Sequence, residues 1–176
     1  MFTIKLLLNN KGFAVGYLIL AIFLTALIIE AGIKASSILS TSKFTENKVA
    51  ELTAQANLIR QKITQCVVEY PEGDNGTSFF KPYPAGTNVE VSTLECPGAP
   101  AGAKNLWTGK DGVFLPIPPK GFNSWRYTND SNGVRISIQT TNVNAYGQIM
   151  QKVASKFSSS EATYNSGVLT FYVVKP

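Results

Sequence analysis

The amino-acid sequence predicts an α+β fold in which one long N-terminal helix packs on a small antiparallel sheet. Three observations lead to this prediction. Residues 13–29 form an apolar run without a charged side chain. No proline interrupts the chain from Phe13 to Tyr70, and an apolar stripe at helical spacing runs through residues 49–70. Residues 124–174 contain segments that alternate apolar and polar side chains, as strands do.

The apolar run is long enough to span a membrane. It reaches Ile33 once Glu30 is included, which matches the roughly 20 residues that a helix needs to cross a bilayer. Lys5 and Lys11 precede the run without an acid, so the positive-inside rule predicts a cytoplasmic N-terminus and an exported C-terminal domain. A secretory signal peptide is the alternative, but its apolar core is shorter, about 7–15 residues, and ends at a small-x-small cleavage site.

The residues just before the run carry a second signal. The short basic leader ends in Lys11-Gly12-Phe13, with the apolar run starting at the phenylalanine. This pattern resembles the leader of the type IV pilin and type II secretion pseudopilin family. The resemblance implies a pilin-like fold, cleavage between Gly12 and Phe13 by a prepilin peptidase, and N-methylation of the new N-terminal Phe13. It therefore predicts a leader at 1–12 and a mature chain of 13–176.

The same resemblance implies a location and a set of partners. The protein is expected in the bacterial inner membrane, with its N-terminus in the cytoplasm and its head periplasmic, or extracellular after assembly into a filament. The expected partners are the prepilin peptidase, an inner-membrane assembly platform and other pilin subunits in a homo- or hetero-oligomeric helical filament. One residue departs from the family pattern, because Tyr17 stands at the fifth mature position, where a glutamate is usual. The departure indicates a minor subunit.

Glu30 is the only acid in the predicted span, and two interpretations of it stay open. In the first, it lies at the outer membrane boundary, where it reaches the headgroups or offsets Lys34 one helical turn later. In the second, it supplies the intersubunit charge contact that Tyr17 cannot supply, because a buried carboxylate is unfavourable unless it is paired.

The helix is expected to continue beyond the membrane. Residues 13–40 are its transmembrane and filament-core half, and residues 41–70 are its amphipathic half. The apolar stripe of the second half consists of Val49, Leu52, Ala56, Ile59, Ile63, Cys66 and Tyr70. A three-heptad coiled coil is the alternative for residues 49–70, but the mixture of small and large stripe residues favours packing on a sheet.

Residues 71–176 form the predicted head, which begins with a long loop at 71–124. This loop holds eight of the nine prolines and eight glycines, and a loop of this length is uncommon unless it is functional or held in place. Cys66 on the stripe and Cys96 in the loop favour a disulfide in an exported domain. Two free cysteines, one of them a small buried hydrophobe, are the alternative.

The antiparallel sheet is expected within residues 124–174. Residues 124–128 and 134–139 alternate in polarity and flank a turn-rich pentapeptide, which predicts a hairpin. Residues 143–157 place apolar side chains on one helical face. Residues 168–174 follow a glycine and form the final predicted strand.

The sequence contains no pattern that indicates catalysis. The absence of histidine excludes histidine-based triads and histidine metal ligands, and two cysteines alone cannot build a zinc site. No phosphate-binding glycine loop, nucleophile elbow or metal-ligand cluster is present. We therefore expect a protein that is not an enzyme and uses no cofactor or metal.

A cluster of aromatic and basic residues has two interpretations. Binders of single-stranded DNA combine such residues, and here the candidates are Trp107, Phe114, Trp125 and Tyr127 with Lys104, Lys110 and Arg126. Core packing is the favoured interpretation of the aromatics. The formal charge of +5 comes from scattered basic residues, which argues against a nucleic-acid partner.

Two function classes follow. The first is a structural subunit, a minor one, of a type IV pilus or pilus-like filament; pilus, secretion pseudopilus and DNA-uptake filament are not distinguished. The second is an uncleaved, single-pass anchored binding protein whose extracytoplasmic head captures DNA or another ligand.

Overall fold

The structure of the chain is a computed structural model, and it describes residues 42–108 and 111–176. By its internal contacts the chain divides into two compact units, Met1–Phe44 and Thr45–Pro176. The second, which we call the C-terminal unit, contains nearly all of the described residues.

Several predictions from the sequence lie outside the described residues. They are the leader, the Gly12–Phe13 cleavage site, the membrane span, the departure at Tyr17 and the two interpretations of Glu30. Within the part of the chain that the structure describes, no helix combines the length and the apolar character needed to cross a bilayer.

Helix α1 occupies residues 42–69 of the described chain. It ends just before Tyr70-Pro71, as expected, because the residue before a proline is disfavoured in helical conformation. The predicted apolar stripe is confirmed: six of its members are buried, and Tyr70 is half-buried just past the helix. The buried members are Val49, Leu52, Ala56, Ile59, Ile63 and Cys66.

Five strands form one antiparallel sheet in the described residues, in the order β1-β2-β3-β5-β4. The strands are β1 (Thr87–Glu90), β2 (Arg126–Asp130), β3 (Gly133–Gln139), β4 (Ala162–Asn165) and β5 (Val168–Val174). A second helix, α2 (Val143–Ala154), connects β3 to β4. The side chain of Asn142 caps α2 by accepting a hydrogen bond from the backbone N–H of Ala145.

One face of the sheet is apolar and buried. Tyr127, Ile136 and Phe171 are neighbours across β2, β3 and β5, and all three are buried. They belong to the same core cluster as the α1 stripe. The adjacent row on the other face is Arg126, Ser137 and Thr170, which is polar. Helix α1 therefore packs on the sheet, as predicted.

The main differences from the sequence prediction concern short elements. Strand β1 lies inside the segment predicted as a loop, and β4 was not predicted. The hairpin of β2 and β3 is confirmed, but its turn is shorter, because Asp130 already pairs with Gly133. The final strand was predicted with the bounds that the structure gives.

Candidate functional site

The disulfide predicted between Cys66 and Cys96 is present. Both cysteines are buried, and their Cα atoms are 5.7 Å apart. The backbone of Gly73 lies so close to Pro97 that a Cβ atom at Gly73 would collide with the Pro97 carbonyl. The bond and this close approach fold the long loop back onto the end of α1.

A second part of the loop, residues 111–119, lies along α1, and we call it the strap. Its first residue, Asp111, accepts a salt bridge from Lys62 Nζ at 2.7 Å. Near its other end, the carbonyl of Ile117 accepts a hydrogen bond from Gln55 Nε2 at 2.9 Å. Gln55 and Lys62 are seven residues apart and lie on the same side of the helix. The strap therefore runs antiparallel to α1 and is held at two points.

Gln55 also connects the helix to the sheet. Its Oε1 accepts a hydrogen bond from Trp125 Nε1 at 2.9 Å, just before β2 begins. Gln55 is only 6% exposed, so both ends of its amide need partners inside the protein. The Trp125 indole and the Ile117 carbonyl supply them. One buried side chain thus joins α1, the sheet and the strap.

Strand β2 holds the earlier part of the loop in a similar way. The Tyr127 hydroxyl donates to the carbonyl of Pro84 at 2.8 Å. The Asn129 amide donates to the carbonyls of Phe80 and Pro84. Burial raises the pKa of Tyr127 far above its ordinary value, so its hydroxyl remains a hydrogen-bond donor even in alkaline solution.

The aromatic residues that suggested a nucleic-acid surface do not lie together on the surface. Trp107, Trp125 and Tyr127 are buried, and only Phe114 is exposed. The Trp107 indole donates to the carbonyl of Val91 at 2.7 Å, as expected for a core tryptophan. The three buried rings have no free face on which a base could stack, and core packing is confirmed for them.

The strap presents two large apolar side chains to solvent. Phe114 is 66% exposed and Ile117 is 86% exposed. The backbone that carries them is constrained by Pro116, Pro118 and Pro119 as well as by Gln55. We call Phe114 and Ile117 the strap knob. The sequence signal for the strap knob is the pair of apolar residues among the prolines of FLPIPP. Core packing, the favoured interpretation of the aromatic candidates, is wrong for Phe114.

One ion pair of the sheet is bidentate and partly buried. Arg135 donates two hydrogen bonds to Asp130, each at 2.7 Å. The arginine hydrogen bond holds the pKa of the Asp130 carboxyl below its ordinary value. No group of carboxylates and thiols that could hold a metal ion occurs among residues 42–108 and 111–176.

Of the predicted site residues, the structure brings Cys66 and Cys96 together, whereas Gly12, Phe13 and Glu30 are outside the described residues. No protein-family model, curated protein or solved structure matches this chain. The candidate site consists of the strap, the disulfide and the part of α1 that binds them.

The first prediction concerns Gln55. We expect Gln55→Leu to lower the free energy of unfolding by about 1–3 kcal/mol, because the Trp125 indole N–H and the Ile117 carbonyl lose their partner. Urea denaturation of the detergent-solubilised full chain measures this free energy. The fluorescence of the two buried tryptophans is the signal. Gln61→Leu on the exposed side of α1 is the matched control. Equal stability of the two variants would contradict the role of Gln55.

The second prediction concerns the disulfide. We expect Cys96→Ala to lower the free energy of unfolding by about 3–4 kcal/mol, because the bond restricts a 30-residue loop in the unfolded chain. The double variant Cys66→Ala/Cys96→Ala is the control, and it should lose about the same amount. The same urea denaturation measures both variants. The double variant could instead lose as much free energy of unfolding as two independent truncations of buried side chains added together. That result would show that the covalent link contributes nothing.

Proposed function

We propose that this chain is a structural subunit, a minor one, of a type IV pilus or a pilus-like filament. A prepilin peptidase cleaves it between Gly12 and Phe13, Phe13 is N-methylated, and the mature chain assembles through its N-terminal helix. Before assembly, that helix anchors the protein in the inner membrane, with the C-terminal unit on the far side. In this proposal the protein catalyses no reaction and binds no cofactor.

The observation that carries the proposal is the continuity of the chain after Lys11-Gly12-Phe13. An apolar run starts at the phenylalanine and is followed, without a proline, by a helix that reaches residue 69 in the described chain. The side chains of the apolar run can leave lipid and pack against related helices, because lipid tails and apolar helices are similar surroundings for them. An ordinary membrane anchor does not require such a continuation.

The C-terminal unit supports the proposal in two further ways. Helix α1 packs on an antiparallel sheet, which is the architecture that the pilin resemblance implies. The disulfide between Cys66 and Cys96 is compatible with an oxidising space beyond the inner membrane. Neither feature is specific to the pilin family, so the leader remains the specific support for the proposal.

Tyr17 favours a second candidate, an uncleaved single-pass protein whose exported unit binds a ligand. This residue replaces the glutamate that the pilin family usually carries. In this second candidate, the apolar run is only an anchor and the chain keeps its leader. The two functions differ in one directly measurable property, the first residue of the mature chain.

The third prediction tests this property. Intact mass and N-terminal sequencing of the protein from its own cells should give a chain that begins at methylated Phe13. Gly12→Leu should block the cleavage, because the side chain obstructs the site where the resemblance places the peptidase. Gly32→Leu is the matched control and should be processed normally. A wild-type chain that begins at Met1 would exclude the filament function and support the anchored binding protein.

The fourth prediction concerns Glu30, which we propose as the intersubunit charge contact that Tyr17 cannot supply. We expect Glu30→Ala to be processed normally at Phe13 and to be lost from sheared filaments, because its buried cationic partner would be left without a counter-charge. Glu46→Ala removes an exposed carboxylate of α1 and serves as the control. Normal incorporation of Glu30→Ala would place Glu30 at the membrane boundary instead.

A further inference from the structure

The polar face of the sheet carries a pocket of about 540 Å³ where β1, β2 and the end of β3 meet. We call it the sheet pocket. Neighbouring side chains of a strand point to opposite faces, so Arg126 in this pocket faces away from the core that holds Tyr127. The lining includes Asn88, Glu90, Asn123, Arg126 and Gln139 with the ring of Phe122. The volume is within the roughly 300–1,000 Å³ of small-molecule sites.

Three amide side chains of the sheet pocket are available to a ligand. Asn88, Asn123 and Gln139 are exposed, and in the described part of the chain their side-chain amides have no hydrogen-bond partner. Each amide offers one oxygen that accepts and two N–H groups that donate. The pocket therefore presents donors and acceptors together, which suits a ligand whose groups also do both.

The backbone of the sheet fixes where these amides lie. Asn88 has a φ of 57° at a register irregularity of β1, and such bulges redirect a side chain. Its N–H donates to Thr128 Oγ1 at 3.1 Å. On the far side of β2, the N–H of Asn123 donates to the carbonyl of Gln139 at 2.8 Å. The amides thus stand on both sides of Arg126, on paired backbone rather than on a free loop.

The two charged residues of the sheet pocket compensate each other. Glu90 Oε1 lies 3.9 Å from Arg126 Nη2, and Arg126 Nη1 donates to the carbonyl of Asn88 at 3.3 Å. The lining therefore has no net charge. Nucleic acids and other phosphates require an excess of cationic groups, and the guanidinium repels a metal cation. A neutral ligand fits this balance best.

We propose that the sheet pocket binds an uncharged saccharide. Each hydroxyl of a sugar ring donates and accepts a hydrogen bond, as the amides of Asn88, Asn123 and Gln139 do. Phe122 is buried and gives the pocket an apolar wall, against which the C–H groups of a sugar ring can pack. The inference goes beyond the proposed function, because the site belongs to the C-terminal unit and is the same whether the mature chain begins at Phe13 or at Met1.

A peptide is the nearest competitor for the sheet pocket. Its backbone is neutral and also combines donors and acceptors. An extended peptide, however, pairs with the edge of a sheet, whereas this pocket lies on the face and offers side chains of three strands or their extensions. The arrangement favours a saccharide, and the experiment includes a peptide as a competing probe.

The fifth prediction is that the full chain binds a neutral oligosaccharide. The chain is solubilised in a detergent without a sugar headgroup and titrated with chitohexaose and with maltohexaose in a calorimeter. We expect at least one of them to bind, and the comparison shows whether the acetamido groups of chitohexaose matter. Hexaglycine and inorganic phosphate are the competing probes, and we expect neither to bind at the same concentrations.

Two substitutions place the binding in the sheet pocket. Asn123→Ala and Gln139→Ala should each weaken it about three- to tenfold, which corresponds to the loss of one hydrogen bond. Asn144→Ala, at an exposed position of α2, is the matched control and should bind like the wild type.

Three results would overturn the saccharide site. They are no binding of either oligosaccharide at millimolar concentrations, unchanged binding in both pocket variants, and stronger binding of hexaglycine or phosphate. Each would leave the filament function standing, because that function is decided by the first residue of the mature chain.

Discussion

The C-terminal unit depends on one contact, the packing of the α1 stripe against the apolar face of the sheet. Leu52, Ile59 and Ile63 are fully buried in it. Each such side chain contributes about 1.5–3 kcal/mol when it leaves water, which is a large share of the 5–15 kcal/mol that typically separates folded from unfolded domains. The same core cluster contains Ile149, Met150 and Val153 of α2, so both helices help to bury the apolar face of the sheet.

Apolar packing is not directional, so the polar contacts decide how the parts are aligned. Gln55 interrupts the apolar surface of α1, and its amide is satisfied only when Trp125 and Ile117 lie at the correct places beside it. A shift of the helix by one turn would leave the buried Gln55 amide and the buried Trp125 indole N–H without partners, at about 1–3 kcal/mol each. Gln55 therefore fixes the register of the helix, the sheet and the strap together.

The parts of the fold that sequence reasoning predicted are those with a local periodic signal. The α1 stripe, the β2–β3 hairpin and β5 repeat their apolar residues over enough positions to be recognised. Strand β1 has only four residues and is mostly exposed, so it carries no alternation. The Gln55 contacts join residues that are 62 and 70 positions apart, and nothing local marks them. For the same reason, the exposure of the strap knob became visible only after the strap was placed beside α1.

Helix α1 has two structural uses around its circumference. One side enters the core, and an adjacent side holds the strap. The Gln55 amide that completes the core through Trp125 also binds the carbonyl of Ile117. Folding of the C-terminal unit therefore fixes the strap at the same time as it closes the core. The backbone of the strap knob keeps little freedom, because a proline and the Gln55 hydrogen bond both restrict it.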